Sequence, residues 1–235
     1  MGIDIVCGFV LDYFVGDPAW MPHPIRAIGK LIEVLERAIR SLSLGKNGLK
    51  VAGVFLLIIT VGVSYFVTAL IIHYALEISS YLYLVVSSIF VYFELATGCL
   101  TKEAYSIHDS LEEKDIELAR KKLSMIVGRD TQELTKEEII RATIETVAEN
   151  IVDGIISPLF YIVIGGPALG MAYKAVNTLD SMVGYKNEKY EDLGWASAKF
   201  DDILNWLPAR LTGLIIPVAG GLWDRKTTKR AMEIY

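Results

Sequence analysis

The longest uncharged segment of the chain, residues 51–72, is the feature that most constrains its fold. Its 22 residues match the roughly 20 that a transmembrane helix needs. A second apolar segment, residues 78–100, is interrupted only by Glu94. Because apolar residues make up 53% of the chain and the mean hydropathy is +0.41, we predict an all-α, polytopic membrane protein. The 22% of charged residues indicates sizeable polar segments as well.

The basic residues predict the orientation of these two helices. Residues 73–77, between them, contain no Lys or Arg, whereas residues 26–50 contain six and residues 102–141 contain eight. Since Lys and Arg are enriched in cytoplasmic loops, we expect a hairpin with both flanks in the cytoplasm. We therefore expect one membrane-embedded domain, residues 1–235, with a cytoplasmic helical segment at about residues 101–153. The basic cluster at residues 225–230 predicts a cytoplasmic tail.

Three other apolar segments are not simple spans. Residues 3–15 are short, and residues 155–173 are broken by Pro158 and Gly165-Gly166-Pro167, which favours a re-entrant hairpin or a kinked helix. Residues 203–222 contain Arg210, whose expected partner is Asp201, Asp202 or a bound anion. Residues 177–212 and the basic tail can both face the cytoplasm only if residues 155–173 and 203–222 are re-entrant or interfacial, or if the positive-inside bias fails locally.

Two stretches have a helical pattern with polar faces. Pro24 begins an amphipathic helix over about residues 24–40, which either lies on an anionic membrane surface or packs on the protein. Asp130-x-x-Glu133 and Thr135-x-x-Glu138 are both helix N-terminal signatures. The helix from Thr135 to about Asp153 has a predicted apolar stripe and a polar face. The stripe is Ile140, Ile144, Val147 and Ile151; the polar face is Arg141, Glu145, Glu149 and Asp153.

Glu145 and Glu149 repel each other at this spacing unless a cation lies between them. The alternative, an exposed face on which Arg141 relieves the repulsion through Glu145, is favoured by spacing alone.

Residues 177–212 gather polar and aromatic side chains between two apolar segments. Such a concentration is costly in an apolar chain unless the groups bind something, which favours a binding site. The alternative is a solvated loop with an aromatic belt at the membrane interface. If residues 199–207 are helical, Asp201, Asp202 and Asn205 lie within about one turn and predict a Mg²⁺ site. The planar fork of Arg210 suits phosphate.

Other chemistries have less support. The net charge of −5 argues against nucleic acid as a partner. Cys7 and Cys99 lack the spacing of a zinc site or a disulfide framework. The chain also lacks the Gly-x-x-x-x-Gly-Lys-Ser/Thr phosphate-binding loop.

Four blocks of the sequence resemble the CobD/CbiB family of cobalamin biosynthesis. They are LDYFVGDPAWMPHPIRAIGKLI (11–32), VGRDT (127–131), IETVAENIVDGIISPLFY (144–161) and AVNTLDSMVGYKNEKYEDLGWASAKFDDILNWLPARLT (175–212). The resemblance implies an integral membrane adenosylcobinamide-phosphate synthase. Such an enzyme joins adenosylcobyric acid to (R)-1-amino-2-propanol or its O-phosphate in an ATP-dependent ligation.

With this resemblance, we expect ATP and Mg²⁺ as cofactors, an adenosylated corrinoid as substrate, and a site that faces the cytoplasm from the cell membrane. The lipid bilayer, other membrane proteins of the pathway and a second copy of the chain are the further partners considered. Metal and phosphate roles are expected for Asp201, Asp202, Asn205 and Arg210, and ligand or base roles for Glu145, Glu149, Asn150 and Asp153. Substrate contacts are expected from Asp17, His23, Arg26, Arg129, Asp130, Asn177, Asp180, Tyr185, Asn187, Trp195 and Trp206.

The family usually continues beyond the equivalent of Tyr235 with a Pro-Ser-Pro-Asn-Ala-Gly-like segment and a further apolar region. That C-terminal part is expected to be missing from this chain, and the chain alone is inactive if that part contributes to the site. Two alternatives to a ligase stay open. One is a corrinoid-binding or transport protein that uses Glu94 and Arg210, and the other is a non-catalytic short member of the family.

Overall fold

The computed structural model describes residues 2–18 and 20–223 of the chain. Within these residues the structure is all-helical and has no β-strand. The helices are α1 Gly2–Val15, α2 Pro24–Arg40, α3 Lys46–Ile78, α4 Ser80–Glu94, α5 Thr97–Glu112, α6 Ile116–Leu123, α7 Lys136–Ile151, α8 Ser157–Val183 and α9 Trp195–Trp223. A π-helical turn, Val152–Ile156, joins α7 directly to α8. The basic cluster at residues 225–230 lies outside the described residues.

Three segments are long and apolar enough to cross a membrane: Lys46–Ile78, Ser80–Glu112 and Lys136–Val183. This confirms the predicted polytopic membrane fold. Helix α3 contains the first predicted span, and large side chains on its outer face, such as Phe55 and Phe66, are exposed as lipid-facing residues would be. The second predicted span bends at Leu95 and Ala96, where α4 ends and α5 begins. The cytoplasmic orientation of the hairpin stays a prediction.

Helix α2 packs on the protein through its apolar face. Its first residue is Pro24, and the Nδ1 atom of His23 accepts a hydrogen bond from the backbone N–H of Ile25 at 3.1 Å, which caps the helix. Ile28 and Ile32 are buried against Leu56 of α3 and residues of α8. Of the two interpretations of this segment, the structure supports the helix that covers the core.

Helices α5, α6 and α7 share a second apolar core. Helix α5 ends at Glu112, and Asp115 caps α6 by accepting a hydrogen bond from the backbone N–H of Leu118. Thr135 and Glu138 form the predicted capping box of α7. The signature at Asp130 was wrong as a helix start, since its side chain instead accepts a hydrogen bond from the backbone N–H of Gln132 in a turn.

The predicted apolar stripe of α7 was wrong in its first half, whereas Val147 and Ile151 in its second half are partly buried. Ile139 and Ala142 are buried against α5 and α6, whereas Ile140 and Ile144 are 40% and 64% exposed. The buried residues of α7 are Ile139, Ala142 and Thr146, and none of them belongs to the predicted stripe. Helix α7 carries apolar residues on more than one face, and the neighbouring helices decide which face is covered.

Helix α8 is kinked, as its glycines and proline predicted. Gly165 and Gly166 have non-helical backbone angles, and the φ of +72° at Gly166 is one that other residues rarely adopt. Pro167 follows and cannot donate a backbone hydrogen bond to the preceding turn. The kink divides α8 into a short first part, which follows the turn that contains Asp153, and a longer second part, which contains Asn177. Helix α9 packs beside α8 and carries Pro208 and Pro217.

Candidate active site

A polar cavity of about 550 Å³ lies beside the junction of α7 and α8. We call it the acidic cavity. It is lined by Ile126, Val127, Gly128, Arg129, Glu145, Thr146, Glu149, Asn150, Asp153, Asn177, Asp180, Ser181 and Tyr185. Eight of these residues are predicted site residues, so the fold brings together three sequence blocks, 127–131, 144–161 and 175–212, that spacing alone could not connect. Arg129 is the one basic side chain among these described lining residues.

Glu145 lies on the exposed side of the acidic cavity. Its two carboxylate oxygens accept hydrogen bonds from Arg141 at 2.8 Å and from Arg129 at 3.0 Å. The predicted relief of the Glu145–Glu149 repulsion by Arg141 is therefore present, with Arg129 as a second partner. Both arginines are mostly exposed, so these ion pairs contribute little to stability.

The π-helical turn positions Asp153 on the inner side of the same cavity. A π-helical turn carries an extra residue relative to an α-helix, and such turns are frequent at functional sites. Gly154, in this turn, has its carbonyl bonded to the backbone N–H of Ala96 at 3.0 Å. A Cβ at Gly154 would lie 3.2 Å from that of Ala96, so the close approach of the two segments requires glycine or a shift.

Asp201, near the start of α9, lies close to Asp153 and is 9% exposed. It lies outside the three candidate spans. Burial, followed by the charges of Asp153 and Asp180, raises the pKa of the Asp201 carboxyl from 3.8 to about 7, and the hydrogen bond from Asn205 opposes the rise. Asp201 therefore changes its charge near neutral pH.

A hydrogen-bond network fixes Asp201 in place. The Nδ2 atom of Asn205 donates to Asp201 Oδ2 at 2.9 Å, and Asn205 Oδ1 accepts from Ser157 at 2.6 Å and from the Tyr173 hydroxyl at 2.9 Å. Tyr161 stacks on Tyr173 with ring centroids 5.1 Å apart. The two hydrogen bonds that Asn205 Oδ1 accepts hold its amide so that Nδ2 donates to Asp201.

The other oxygen of Asp201, Oδ1, is buried and has no hydrogen-bond partner within the described residues. A buried carboxylate oxygen without a donor either carries a proton or accepts a cation, so the position fits both a proton and a bound cation. No group of three or more His, Cys, Asp or Glu residues suited to a metal occurs in the described part of the chain. The predicted metal set of Asp201, Asp202 and Asn205 stays a prediction.

Asp202 has a different environment from Asp201. Its side chain is 72% exposed, and its Oδ2 atom lies 3.5 Å from Lys199 Nζ. It lines a neighbouring cavity of about 350 Å³, which we call the aromatic cavity. This cavity is lined by Asp180, Gly184, Tyr185, Lys186, Tyr190, Glu191, Gly194, Trp195, Ala198, Lys199 and Asp202. Because Asp180 and Tyr185 line both cavities, the acidic and aromatic cavities adjoin.

Three predicted residues from the N-terminal block line a third cavity, of about 230 Å³. We call it the N-terminal cavity. It is lined by Asp12, Gly16, Asp17, His23, Ile25, Arg26, Tyr92, Phe93, Leu95, Ala96, Cys99 and Lys174. Arg26 lies 3.5 Å from Asp17 at the surface, and burial lowers the pKa of His23, while the charge of Asp17 opposes that change.

Four predicted residues lie elsewhere. Asp130 lines a surface cavity beside α6, and Asn187 Oδ1 accepts hydrogen bonds from the backbone N–H groups of the turn that follows it. The expected ion pair of Arg210 with Asp201 or Asp202 was wrong. Arg210 instead donates to the Trp206 carbonyl at 2.7 Å and lies 3.9 Å above the Trp206 ring. This cation–π contact satisfies the guanidinium on an exposed face of α9.

Sequence reasoning missed Lys174 as a site residue. It lines the N-terminal cavity and is attracted electrostatically by Asp153, then by Glu94, Asp201 and Asp12. Glu94 is fully buried, and a Cβ at Gly170 would collide with its carboxylate. The signal for Lys174 was its position as an isolated charge in the apolar sequence around α8, which by itself suggests a function in a membrane segment.

Comparison with known proteins identifies the family. A sequence model described as CobD/Cbib protein matches residues 5–234 of the chain. The chain belongs to the CobD/CbiB family.

Curated relatives agree with this assignment. A protein of Listeria monocytogenes named "Cobalamin biosynthesis protein CobD" is 52% identical over 211 residues, which cover 90% of this chain and 67% of the relative. Proteins of the same name are 48% identical in Clostridium perfringens, over 99% of this chain and 73% of the relative, and 47% identical in Yersinia enterocolitica, over 91% and 67%. These similarities support a role in cobalamin biosynthesis. No solved structure matches the chain.

Proposed function

We propose that this CobD/CbiB family member forms an amide bond between a carboxyl group of adenosylcobyric acid and (R)-1-amino-2-propanol or its O-phosphate, with ATP as the energy source. The observation that carries the proposal is Asp201. It is a buried carboxylate with one oxygen unpartnered in the described structure, oriented by Asn205 and adjacent to Asp153. Groups of this kind are typical of sites that bind cations or transfer protons.

The acidic cavity can bind a nucleotide only if cations bind together with the nucleotide. Glu145, Glu149, Asp153 and Asp180 line this cavity together with Arg129 as a basic residue. A polyphosphate would be repelled by the four carboxylates unless divalent cations lay between them. When bound, Mg²⁺ would neutralise phosphate charge and link it to protein carboxylates. Asp153 and Asp201 are the residues best placed to hold it.

The proposed reaction has two steps. A carboxylate oxygen of the corrinoid attacks the γ-phosphorus of ATP, which forms an acyl phosphate and releases ADP. The neutral amine nitrogen then attacks the acyl carbon, so the C–N bond forms, the C–O bond to phosphate breaks and inorganic phosphate leaves. The proton lost by the nitrogen goes to a carboxylate, for which Asp153 and Asp201 are the candidates.

The adjoining aromatic cavity extends the proposed site. Tyr185 and Trp195 offer flat apolar surfaces beside the carboxylates. Aromatic side chains suit the large conjugated faces of a corrin or an adenine ring. Because ATP is cytosolic, the proposal places these cavities on the cytoplasmic side of the cell membrane.

The test uses the detergent-solubilised full chain. ATP hydrolysis that requires both cobyric acid and aminopropanol phosphate, with formation of the amide product, would support the ligase. Hydroxylamine added without the amine should trap the activated corrinoid as a hydroxamate. Lys46→Gln is a control, since this exposed lysine at the start of α3 lies away from the three cavities. ATP hydrolysis that is indifferent to both substrates, with no amide product, would contradict the proposal.

A further inference from the structure

Helix α1 has its polar and apolar residues arranged in the opposite way from a helix that faces water. Its buried residues are Asp4, Gly8 and Asp12, which recur every four residues along one face. Its large exposed residues are all apolar or aromatic: Ile3, Val6, Phe9, Val10, Leu11, Tyr13, Phe14 and Val15. A surface helix of a water-soluble protein has its charged residues outside and its apolar residues inside. The pattern of α1 therefore indicates an apolar medium on its outer side.

The two carboxylates of α1 are directed at the neighbouring helices. Asp4 Oδ2 accepts a hydrogen bond from the Ser87 hydroxyl of α4 at 2.6 Å. Asp12 Oδ2 accepts one from the backbone N–H of Thr97, at the start of α5, at 2.7 Å. Ionisable residues within a membrane usually face the interior of the helix bundle and pair there with polar groups of the protein. The buried carboxylates of α1 meet this requirement.

The packing of α1 on α4 sets the direction of α1 relative to the membrane. Asp4 contacts Ser87. Four residues later, Gly8 lies so close to Val91 that a Cβ at Gly8 would collide with it. Because both contacts advance by four residues, the two helices run side by side in the same direction. Since α4 belongs to the candidate span Ser80–Glu112, α1 follows the axis of that span and does not lie flat on the membrane surface.

The length of α1 and the surface beside it indicate what covers its apolar face. At 14 residues α1 is about 21 Å long, shorter than the roughly 30 Å hydrocarbon core of a bilayer. Ile89, which lies between Ser87 and Val91 on α4, is 42% exposed at the same level as α1. The exposed face of α1 therefore continues the outer face of a candidate span. Lipid acyl chains are the medium that such an outer face contacts.

We propose that α1 is a further membrane-embedded helix, which enters the hydrocarbon region beside α4 without crossing it and contacts lipid acyl chains through its apolar face. Helix α1 lies outside the three segments that are long and apolar enough to cross a membrane. Its C-terminal end leads directly to Gly16 and Asp17, which line the N-terminal cavity, so this wall of the cavity is anchored in the membrane. The membrane contact of α1 does not depend on the proposed ligase reaction.

Cys7 provides a probe of the apolar face, because it is exposed and lies near the middle of α1. The other cysteine is removed by Cys99→Ser, and a nitroxide spin label is attached to Cys7 in the full chain, reconstituted into lipid nanodiscs. Power-saturation electron paramagnetic resonance then compares two collision rates of the label. One is with oxygen, which dissolves in lipid, and the other is with a water-soluble nickel chelate.

Two reference positions calibrate this measurement in protein without the native cysteines. Ile58→Cys lies on the exposed face of the α3 span, and Lys121→Cys lies at an exposed position of α6, outside the candidate spans. Nickel collision at Cys7 should match that at residue 58. It should be at least about tenfold lower than at residue 121, because hydrocarbon excludes polar solutes. Oxygen collision should be high at residues 7 and 58.

Val6→Asp tests the same face through stability, with Val34→Asp as a matched control. Val6 is 62% exposed on α1, and Val34 is 55% exposed on α2, outside the candidate spans. Because an aspartate is strongly unfavourable in hydrocarbon, Val6→Asp should lower the folding equilibrium constant about 100-fold. Val34→Asp should change it less than about threefold, as for a surface substitution. Unfolding by dodecyl sulfate in lipid bicelles provides the measurement.

High oxygen and low nickel collision at Cys7, with a large loss of stability for Val6→Asp alone, would support the proposal. High nickel collision at Cys7 would place water on this face and overturn it. Low collision with both reagents would mean that protein covers the face, and a Cys7–Cys7 disulfide would identify that protein as a second copy; either result also overturns the proposal. Equal, small effects of Val6→Asp and Val34→Asp would contradict it as well. If Val6→Asp prevents folding, the label on the native Cys7 still decides.

Discussion

Two carboxylates of the candidate site, Glu145 in the acidic cavity and Asp201 next to Asp153, have different environments. On one side, Glu145 is exposed and both of its oxygens are paired with Arg129 and Arg141. On the other, Asp201 is buried, has one oxygen without a partner in the described structure and is oriented by Asn205. Similar chemical groups therefore have different available functions. A carboxylate oxygen that already accepts hydrogen bonds from arginines is less available to bind a ligand than an oriented carboxylate oxygen that has no partner.

Replacing the buried carboxylate should have the largest effect. We expect Asp201→Asn to lower amide formation by about 100-fold or more, because it removes a charge that binds a cation or accepts a proton. The measurement is product formation by purified protein in detergent, with folding checked by thermal unfolding. Asp202→Asn, at the exposed neighbour, should lose less than about tenfold, since its carboxylate is 72% exposed. Equal losses in the two variants would remove the distinction between buried and exposed carboxylates.

Asn205→Ala tests whether the hydrogen bond from Asn205 orients the Asp201 carboxylate for activity. It removes the donor to Asp201 and leaves Ser157 and Tyr173 without their acceptor. We expect activity to fall roughly 10- to 100-fold, as for residues that orient a functional ligand. A steady-state comparison should show this loss at saturating substrate. Tyr173→Phe keeps the Ser157 hydrogen bond, so its loss should be smaller, and a reversed order would contradict the network.

The pH dependence of stability provides a third comparison. The pKa of Asp201 is raised from 3.8 to about 7, so the folded state binds more protons than the unfolded state between these values. The contribution of Asp201 to stability is therefore fully present below about pH 4 and falls as the pH rises toward 7. Its slope should be at most about 1.4 kcal/mol per pH unit. Unfolding measured at several pH values should show a flatter profile for Asp201→Asn, and identical profiles would refute the assignment.

The smallest change is expected for a variant on the exposed side of the acidic cavity. Arg141→Ala should change the free energy of unfolding by less than about 1 kcal/mol, because exposed ion pairs contribute little. Glu145 keeps its hydrogen bond with Arg129 in this variant. Thermal unfolding at low and high salt provides the check. A loss well above this size would mean that the exposed pairs, too, hold the site together.

Sequence predicted the parts of the fold that depend on local signals. Residues 51–72 identify a span because length and apolar character decide it, and Gly165-Gly166-Pro167 identifies a kink because few other residues permit that backbone. The capping box at Thr135 could be predicted because its two residues are only three positions apart in the sequence. The buried face of α7 could not be predicted, because the choice between Ile139 and Ile140 depends on where α5 and α6 lie.

The candidate site was predictable in composition but not in arrangement. Asp153 and Asp201 were expected to matter, yet only the packing of α8 against α9 shows that they are neighbours. The roles of Tyr173 and Ser157 depend on the same packing, since nothing near them in sequence marks them as partners of Asn205. For Arg210 the sequence predicted the wrong partner, because the guanidinium lies over the ring of nearby Trp206 and does not form the ion pair that its charge suggested.

The π-helical turn at Val152–Ile156 also preserves the rotational phase between the two halves of the long α7–α8 unit. A π-helical turn accommodates one residue more than an α-helical turn, so its extra residue bulges locally and does not rotate the segment that follows. Inserting one residue between Glu149 and this turn, where the helix is regular, would instead rotate Glu145 and Glu149 by about 100° about the helix axis relative to Asn177 and Asp180. The acidic lining would then be divided between two sides of the rod, although every carboxylate would still be present in the chain.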